Sequence, residues 1–343
     1  MTTNGSHSLK ITGLIASKNP VPALLKTVES IFLGGATQII VVDDGSDNPA
    51  SKAVFDQVQA IGAHVIHLPE NVGKAAALRV GFQAVPLNSL IVQTDDDTLA
   101  SDLSIPREIL VSGKADIVDI RVETNHTKSI IGLIQELDYW MMNAFVKRLQ
   151  DLFRARLWMS GASVMYTFRA GQELLLQPSY TMTEDTEGLF RARMKGYNIR
   201  YCSKRESQFT TMVPEDWRGL RKQWKRWATG NGQVIGLYGL GGGISRVTLM
   251  NFFAWVTLAI LPAPLFIIYG FTSTMKWTVL FSMLVGLIGA FVLRRPLLVL
   301  VCVLLPVIST VWILHALEGL VLAMRKPLSL GHMGWVSPKR TAF

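Results

Sequence analysis

Cysteine is nearly absent from this 343-residue chain: Cys202 and Cys302 are the only two. That excludes a disulfide framework and a zinc site built from several thiolates. Charge is scarce as well, at 17% against 49% hydrophobic residues. A chain so apolar is not disordered, and Gly and Pro occur at ordinary frequency, which excludes a collagen-like one. Acid all but disappears from the last third: after residue 226 the one acidic side chain is Glu318. From Val247 to Leu293 the one charge of either sign is Lys276.

The net charge of +9 hides an uneven distribution. Residues 1–190 hold 15 Lys/Arg and 21 Asp/Glu, residues 191–226 hold 11 and 3, and residues 247–343 hold 7 and 1. An acidic body, a basic neck and a sparsely charged tail do not make a nucleic-acid binder, whose cations would cover the functional domain.

The tail reads as membrane. Two spans fit, about 247–271 and 277–293, and at ~1.5 Å per residue they reach ~35 Å and ~25 Å against a hydrocarbon core of ~30 Å. A third apolar run, Leu297–Met324, contains Pro306, His315 and Glu318. It fits one long span, a broken one, or a span followed by an interfacial helix. Met1–Lys10 is polar and Ile11–Ala16 is too short for a signal-peptide core. Residues 1–215 are therefore expected on the cytoplasmic side, as the basic residues before the first span also imply.

The first part of the chain alternates short apolar runs with helical segments. Lys10–Ala16, Gln38–Val42, His64–His67 and Ser89–Gln93 read as strands. Pro22–Phe32, Ser51–Ile61 and Lys74–Ala84 read as helices. This alternation predicts an α/β fold with a mostly parallel sheet, whose functional residues collect at the carboxyl ends of the strands.

Acids stand at those ends. Ile39–Val42 runs into Asp43-Asp44-Gly45-Ser46, which suits either a turn or a contact to a nucleoside. Leu90–Thr94 runs into Asp95-Asp96-Asp97. If the extended geometry persists, Asp95 and Asp97 share a face and Asp96 points away. Two carboxylates ~5 Å apart repel by roughly 3 kcal/mol at an effective dielectric of 20. A divalent cation reverses that sign, and hard oxygen donors suit Mg2+ or Mn2+. Asn71-Val72-Gly73-Lys74 precedes a helix and is a candidate phosphate site. Thr183-Glu184-Asp185 opens another helix and offers either a cap or a general base. Gln223, Arg226 and Trp227, at i, i+3 and i+4, share one helix face. Arg218, Arg221, Lys222 and Lys225 surround an overlapping stripe of Leu220, Trp224 and Trp227, as on an interfacial amphipathic helix.

These elements, in this order, resemble the family 2 glycosyltransferases, in the branch of cellulose, chitin-oligosaccharide, hyaluronan and poly-N-acetylglucosamine synthases. The branch pattern D, DxD, (T/E)ED and QxxRW stands here as Asp43-Asp44, Asp95-Asp96-Asp97, Thr183-Glu184-Asp185 and Gln223–Trp227. Trp158–Ser163 looks like the family's acceptor-side segment, with Gly161 in it. The resemblance covers about Ile11 to Gln233.

The resemblance implies a GT-A, Rossmann-like domain and a nucleotide-sugar donor, most often a UDP-sugar. Asp43 or Asp44 would contact the nucleoside and Lys74 the uracil or diphosphate. Asp95 and Asp97 would serve Mg2+ or Mn2+ and the diphosphate, with Asp97 the direct ligand. Asp185 would be the general base, helped by Glu184. Arg226 would face the departing diphosphate, and Gly161, Gln223 and Trp227 the saccharide acceptor. Direct displacement would invert the anomeric centre.

The expected organisation is a glycosyltransferase domain over 8–215, an interfacial helix region over 216–246, membrane spans over 247–324 and a basic tail over 325–343. Gly334–Arg340 resembles the family's gating loop or else forms a basic membrane anchor. Three spans would put that tail on the far side from the catalytic domain, an even number on the same side. The expected partners are a UDP-sugar, a saccharide acceptor and membrane lipid, with partner subunits or self-association open. Two other readings remain open: transfer of a single sugar to a polyprenyl-phosphate lipid, and a non-enzymatic nucleotide-sugar-binding membrane protein.

Overall fold

The structure, a computed structural model, describes residues 9–125, 129–152, 154 and 159–238, with a few positions between 280 and 296. The expected spans between 247 and 324 and the segment Gly334–Arg340 lie outside a continuous described stretch. Among the described residues no helix is long and apolar enough to cross a membrane.

Strands β1 (Ile11–Ser17), β2 (Gln38–Asp43), β3 (His64–His67) and β4 (Leu90–Thr94) form where the apolar runs predicted them. Helices α1 (Ala23–Leu33), α2 (Ala50–Ala60) and α3 (Lys74–Gln83) connect them. β1, β2 and β4 are buried along almost their whole length because helices cover both sheet faces. β5 (Thr98–Leu99), α4 (Ser104–Val111), β6 (Ile117–Ile120) and β7 (Val122–Thr124) follow. Then come α5 (Ile130–Met141), a π-helical turn over Met142–Val146, α6 (Lys147–Leu152), β8 (Val164–Thr167) and α7 (Phe168–Leu175). The continuous described chain ends with α8 (Glu184–Met194), β9 (Ile199–Cys202), β10 (Phe209–Thr211) and α9 (Trp217–Tyr238).

The main sheet has seven strands in the order β3-β2-β1-β4-β8-β6-β9. It is mixed rather than wholly parallel, because β8 runs antiparallel to both β4 and β6. That reversal brings the segment before β8 to the edge where β4 and β6 end. A second sheet, β5-β10-β7, was not legible in the sequence: its strands are two or three residues long, too short for a periodic signal.

Two apolar cores flank the sheet. One holds Leu24, Val28 and Phe55 from α1 and α2. The other holds Leu78, Leu174 and Leu189 from α3, α7 and α8. Gly81 lets α3 lie close to the sheet; a Cβ there would stand 2.6 Å from Leu14 and 2.7 Å from Val42. This packing fixes where the first residue of α3, Lys74, meets the strand ends.

Candidate active site

The parallel register aligns Ser17 with Asp43, and Asp43 with His67, along one sheet edge. Asp43 Oδ1 accepts the Ser46 N–H at 2.9 Å, and Oδ2 lies 2.8 Å from His67 Nδ1. Asp44 is 2% exposed and accepts the backbone N–H groups of Val72 (2.7 Å) and Gly73 (3.0 Å). Burial pushes its carboxyl upward, against those two bonds. Asp44 thus ties the β2 turn to the Asn71–Lys74 segment. Gly45 permits the approach: its φ is +62°, and a Cβ would meet the Glu70 carbonyl carbon at 2.3 Å. Both aspartates of the pair hold local backbone.

β4 ends at Thr94, and Asp96 and Asp97 lie in the turn to β5. The expected two-residue alternation of faces therefore does not extend through the three aspartates. Asp95 Oδ1 accepts the Lys74 ammonium at 2.5 Å. Asp96 Oδ2 accepts the Ser17 hydroxyl at 2.6 Å. Asp97 Oδ1 accepts the Thr98 hydroxyl at 3.3 Å. Asp96 and Asp97 are buried. Among the described residues no group of three or more His, Cys, Asp or Glu side chains could hold a metal ion by itself.

Lys74 joins two of the motifs: its Nζ also lies 3.2 Å from Glu184 Oε1. Burial would lower the pKa of its ammonium, but Asp95, Glu184 and Asp185 outweigh that and raise it. Asp185 is pushed up to about 6, first by burial and then by Glu184, against Lys74 and two backbone N–H groups. Those donors are Gly161 N–H to Oδ2 (2.9 Å) and Thr186 N–H to Oδ1 (2.7 Å). A small cleft opens on Glu184 and Asp185, with Ala75, Gln93, Met159 and Ser179 among its walls. A carboxyl near 6 is mostly ionised at neutral pH yet basic enough to accept a proton.

The Ser160–Ala162 turn is held from three sides besides Asp185. Thr94 donates to Ala162 O at 2.8 Å, Gln93 donates to Gly161 O at 3.3 Å, and Ser160 N–H donates to Asp119 Oδ1 at 3.3 Å. The sequence reading missed Asp119, although a carboxylate inside the apolar run Ile117–Ile120 is a signal in its own right.

Helix α9 is fastened to the start of α8. A Cβ on Gly230 would stand 2.5 Å from the Thr183 side chain, and Gln233 Oε1 accepts the Met182 N–H at 2.9 Å. Arg226 lies one helical turn before Gly230, so the QxxRW segment is held near the Thr183–Asp185 motif. Gln223 is 6% exposed, and its Oε1 has no hydrogen-bond partner among the described residues. Arg226 is half-buried and likewise has no partner among them. Trp227 packs against an apolar cluster that joins Leu220 and Trp224 of α9 to Leu133, Leu137 and Trp140 of α5.

The family described as Glycosyltransferase like family 2 matches residues 10–230. The poly-beta-1,6-N-acetyl-D-glucosamine synthase of Staphylococcus aureus is 26% identical over 231 residues, 66% of this chain and 55% of that protein. Its counterpart in Staphylococcus epidermidis is 26% identical over 230 residues, with the same coverage. The chain spans about half the length of the curated relatives it matches. A mannosyltransferase from Pyrobaculum calidifontis, solved with GDP-Man and Mn2+, shares the GT-A-like fold. Its TM-score is 0.58 at 14% identity, covering 91% of this chain and 87% of that one.

Proposed function

We infer the reaction from the premise that this chain belongs to glycosyltransferase family 2 and is an enzyme of that family. It transfers a sugar from a UDP-sugar to a growing poly- or oligosaccharide, with inversion, at the cytoplasmic face of a membrane. The observation that carries this reading is the linkage of Lys74, Asp95, Glu184, Asp185 and Gly161 at one sheet edge beside a cleft. The staphylococcal relatives named above, synthases of a polysaccharide, support the polymer-making branch. The near-absence of charge from Val247 to Leu293 supports the membrane.

Asp97 and Asp95 would hold Mg2+ or Mn2+. The hard carboxylate oxygens of both residues, at the turn after β4, suit either ion. When bound, the ion neutralises charge on the departing diphosphate. Asp185 accepts the proton of the attacking hydroxyl, and Glu184 adds negative potential beside it. Lys74 keeps Glu184 and Asp95 in place. Arg226, a cation with no partner among the described residues, faces the diphosphate. The buried Gln223 oxygen and the Trp227 ring line the acceptor path, and Gln223 Oε1 accepts a sugar hydroxyl.

The test is a donor screen on the full chain in detergent with Mn2+ or Mg2+, reading UDP release and product size. A polymer ladder is expected. A single sugar on an extractable lipid would replace the polymer reading with lipid glycosylation, and absence of UDP release from every donor would refute both.

A further inference from the structure

The π-helical turn and α6 carry their polarity inside out. Asn143, Lys147 and Gln150 are buried, while Phe145, Leu149 and Leu152 are 53%, 54% and 74% exposed. A helix packed on a domain ordinarily buries its apolar side. The ammonium of Lys147 lies 3.2 Å from the carboxylate of Asp119, which is wholly buried in β6. Stability does not require this pair, because apolar residues of similar volume usually serve as well.

The position of the pair supplies another reason for it. Asp119 Oδ1 accepts the N–H of Ser160 at 3.3 Å, and the next residue, Gly161, donates to Asp185 Oδ2 at 2.9 Å. Gly161 lies so near that a Cβ would stand 3.0 Å from that oxygen. Any shift of the turn therefore moves the carboxylate. Lys147 is also attracted to Asp185 through space, while burial and Arg121, itself paired with Glu123, act to lower its pKa. Glu184 and Lys74 also act on Asp185, the first raising and the second lowering its pKa.

We propose that the buried Asp119–Lys147 pair is a positioning device for the reaction: Lys147 fixes Asp119, Asp119 holds the Ser160–Gly161 turn, and the turn aims Asp185 at the acceptor hydroxyl. Neither residue touches substrate. The proposal rests on Asp185 being the base.

The decisive variant is the double substitution Asp119→Leu with Lys147→Met, which removes the pair without leaving a buried charge alone. UDP binding by titration calorimetry and the donor KM stay within twofold of wild type, while kcat falls tenfold or more. Lys147→Arg, which keeps the charge, retains more kcat than Lys147→Met. A double variant with kcat within twofold of wild type overturns the proposal, provided Asp185→Asn is inactive. If the double variant does not fold, the Arg and Met variants decide, and equal losses in both overturn it. Full activity in Asp185→Asn instead refutes the base assignment beneath it.

Discussion

Asp185→Asn separates what the carboxylate does for catalysis from what it costs the fold. The carboxyl is held at about 6 instead of its ordinary 3.8. A raised carboxyl favours the folded state below its unfolded value, and that contribution is lost as pH rises through the folded value. The full loss is about 3 kcal/mol. The amide of the variant carries no charge and escapes it. Against this, both carboxylate oxygens accept a backbone N–H, from Gly161 and Thr186. An amide offers one oxygen to those two donors, so one stays unpaired at a cost of about 1–3 kcal/mol. The two effects nearly cancel at pH 7.5, while at pH 4.5 the unpaired donor dominates. Urea unfolding of both proteins across this range should show the variant gaining about 2 kcal/mol relative to wild type as pH rises. Over the same range kcat should be down by about 10²–10⁴, the usual worth of a general base. A stability difference that does not change with pH would refute the buried-charge reasoning, and an undiminished kcat would refute the base.

Lys74→Met removes the cation that lowers the pKa of Asp185 and pairs with Glu184 and Asp95. The acid limb of the kcat profile should move to higher pH, read by UDP release from pH 5 to 9. Gly161→Ala puts a Cβ 3.0 Å from Asp185 Oδ2; kcat should fall about 10- to 100-fold, as misplacing a reacting group by a fraction of an ångström does, with UDP affinity unchanged by calorimetry. Gly230→Ala puts a Cβ 2.5 Å from Thr183 and should cost about 1–3 kcal/mol as an overpacked contact. Thr183→Ala added to it should restore part of the urea midpoint.

The early part of the fold was open to sequence reasoning because its signals are local. β1 to β4 and α1 to α3 begin and end within a residue or two of the apolar runs and helical stretches that predicted them. The acids at strand ends follow from the same reading, since a parallel sheet presents those ends along one edge. What the three aspartates do there was not open to it. Their directions depend on a turn that starts at the end of β4, and the partners Lys74, Ser17 and Thr98 come from three separate elements.

Neighbouring residues were enough to specify a mostly parallel α/β domain, the ordered acids, and a tail with almost no charge, because periodicity, turn chemistry and composition are local properties. The contacts that assemble the site came from the packed fold alone. Lys74 joins Asp95 to Glu184, Asp44 serves the backbone of Val72 and Gly73, and Gly161 holds Asp185. Asp119 and Lys147 enter the same assembly. Those contacts join residues 21 to 110 positions apart in the chain. Their geometry is set by how closely α3, α6 and α8 pack against the sheet, and no window along the chain encodes that distance.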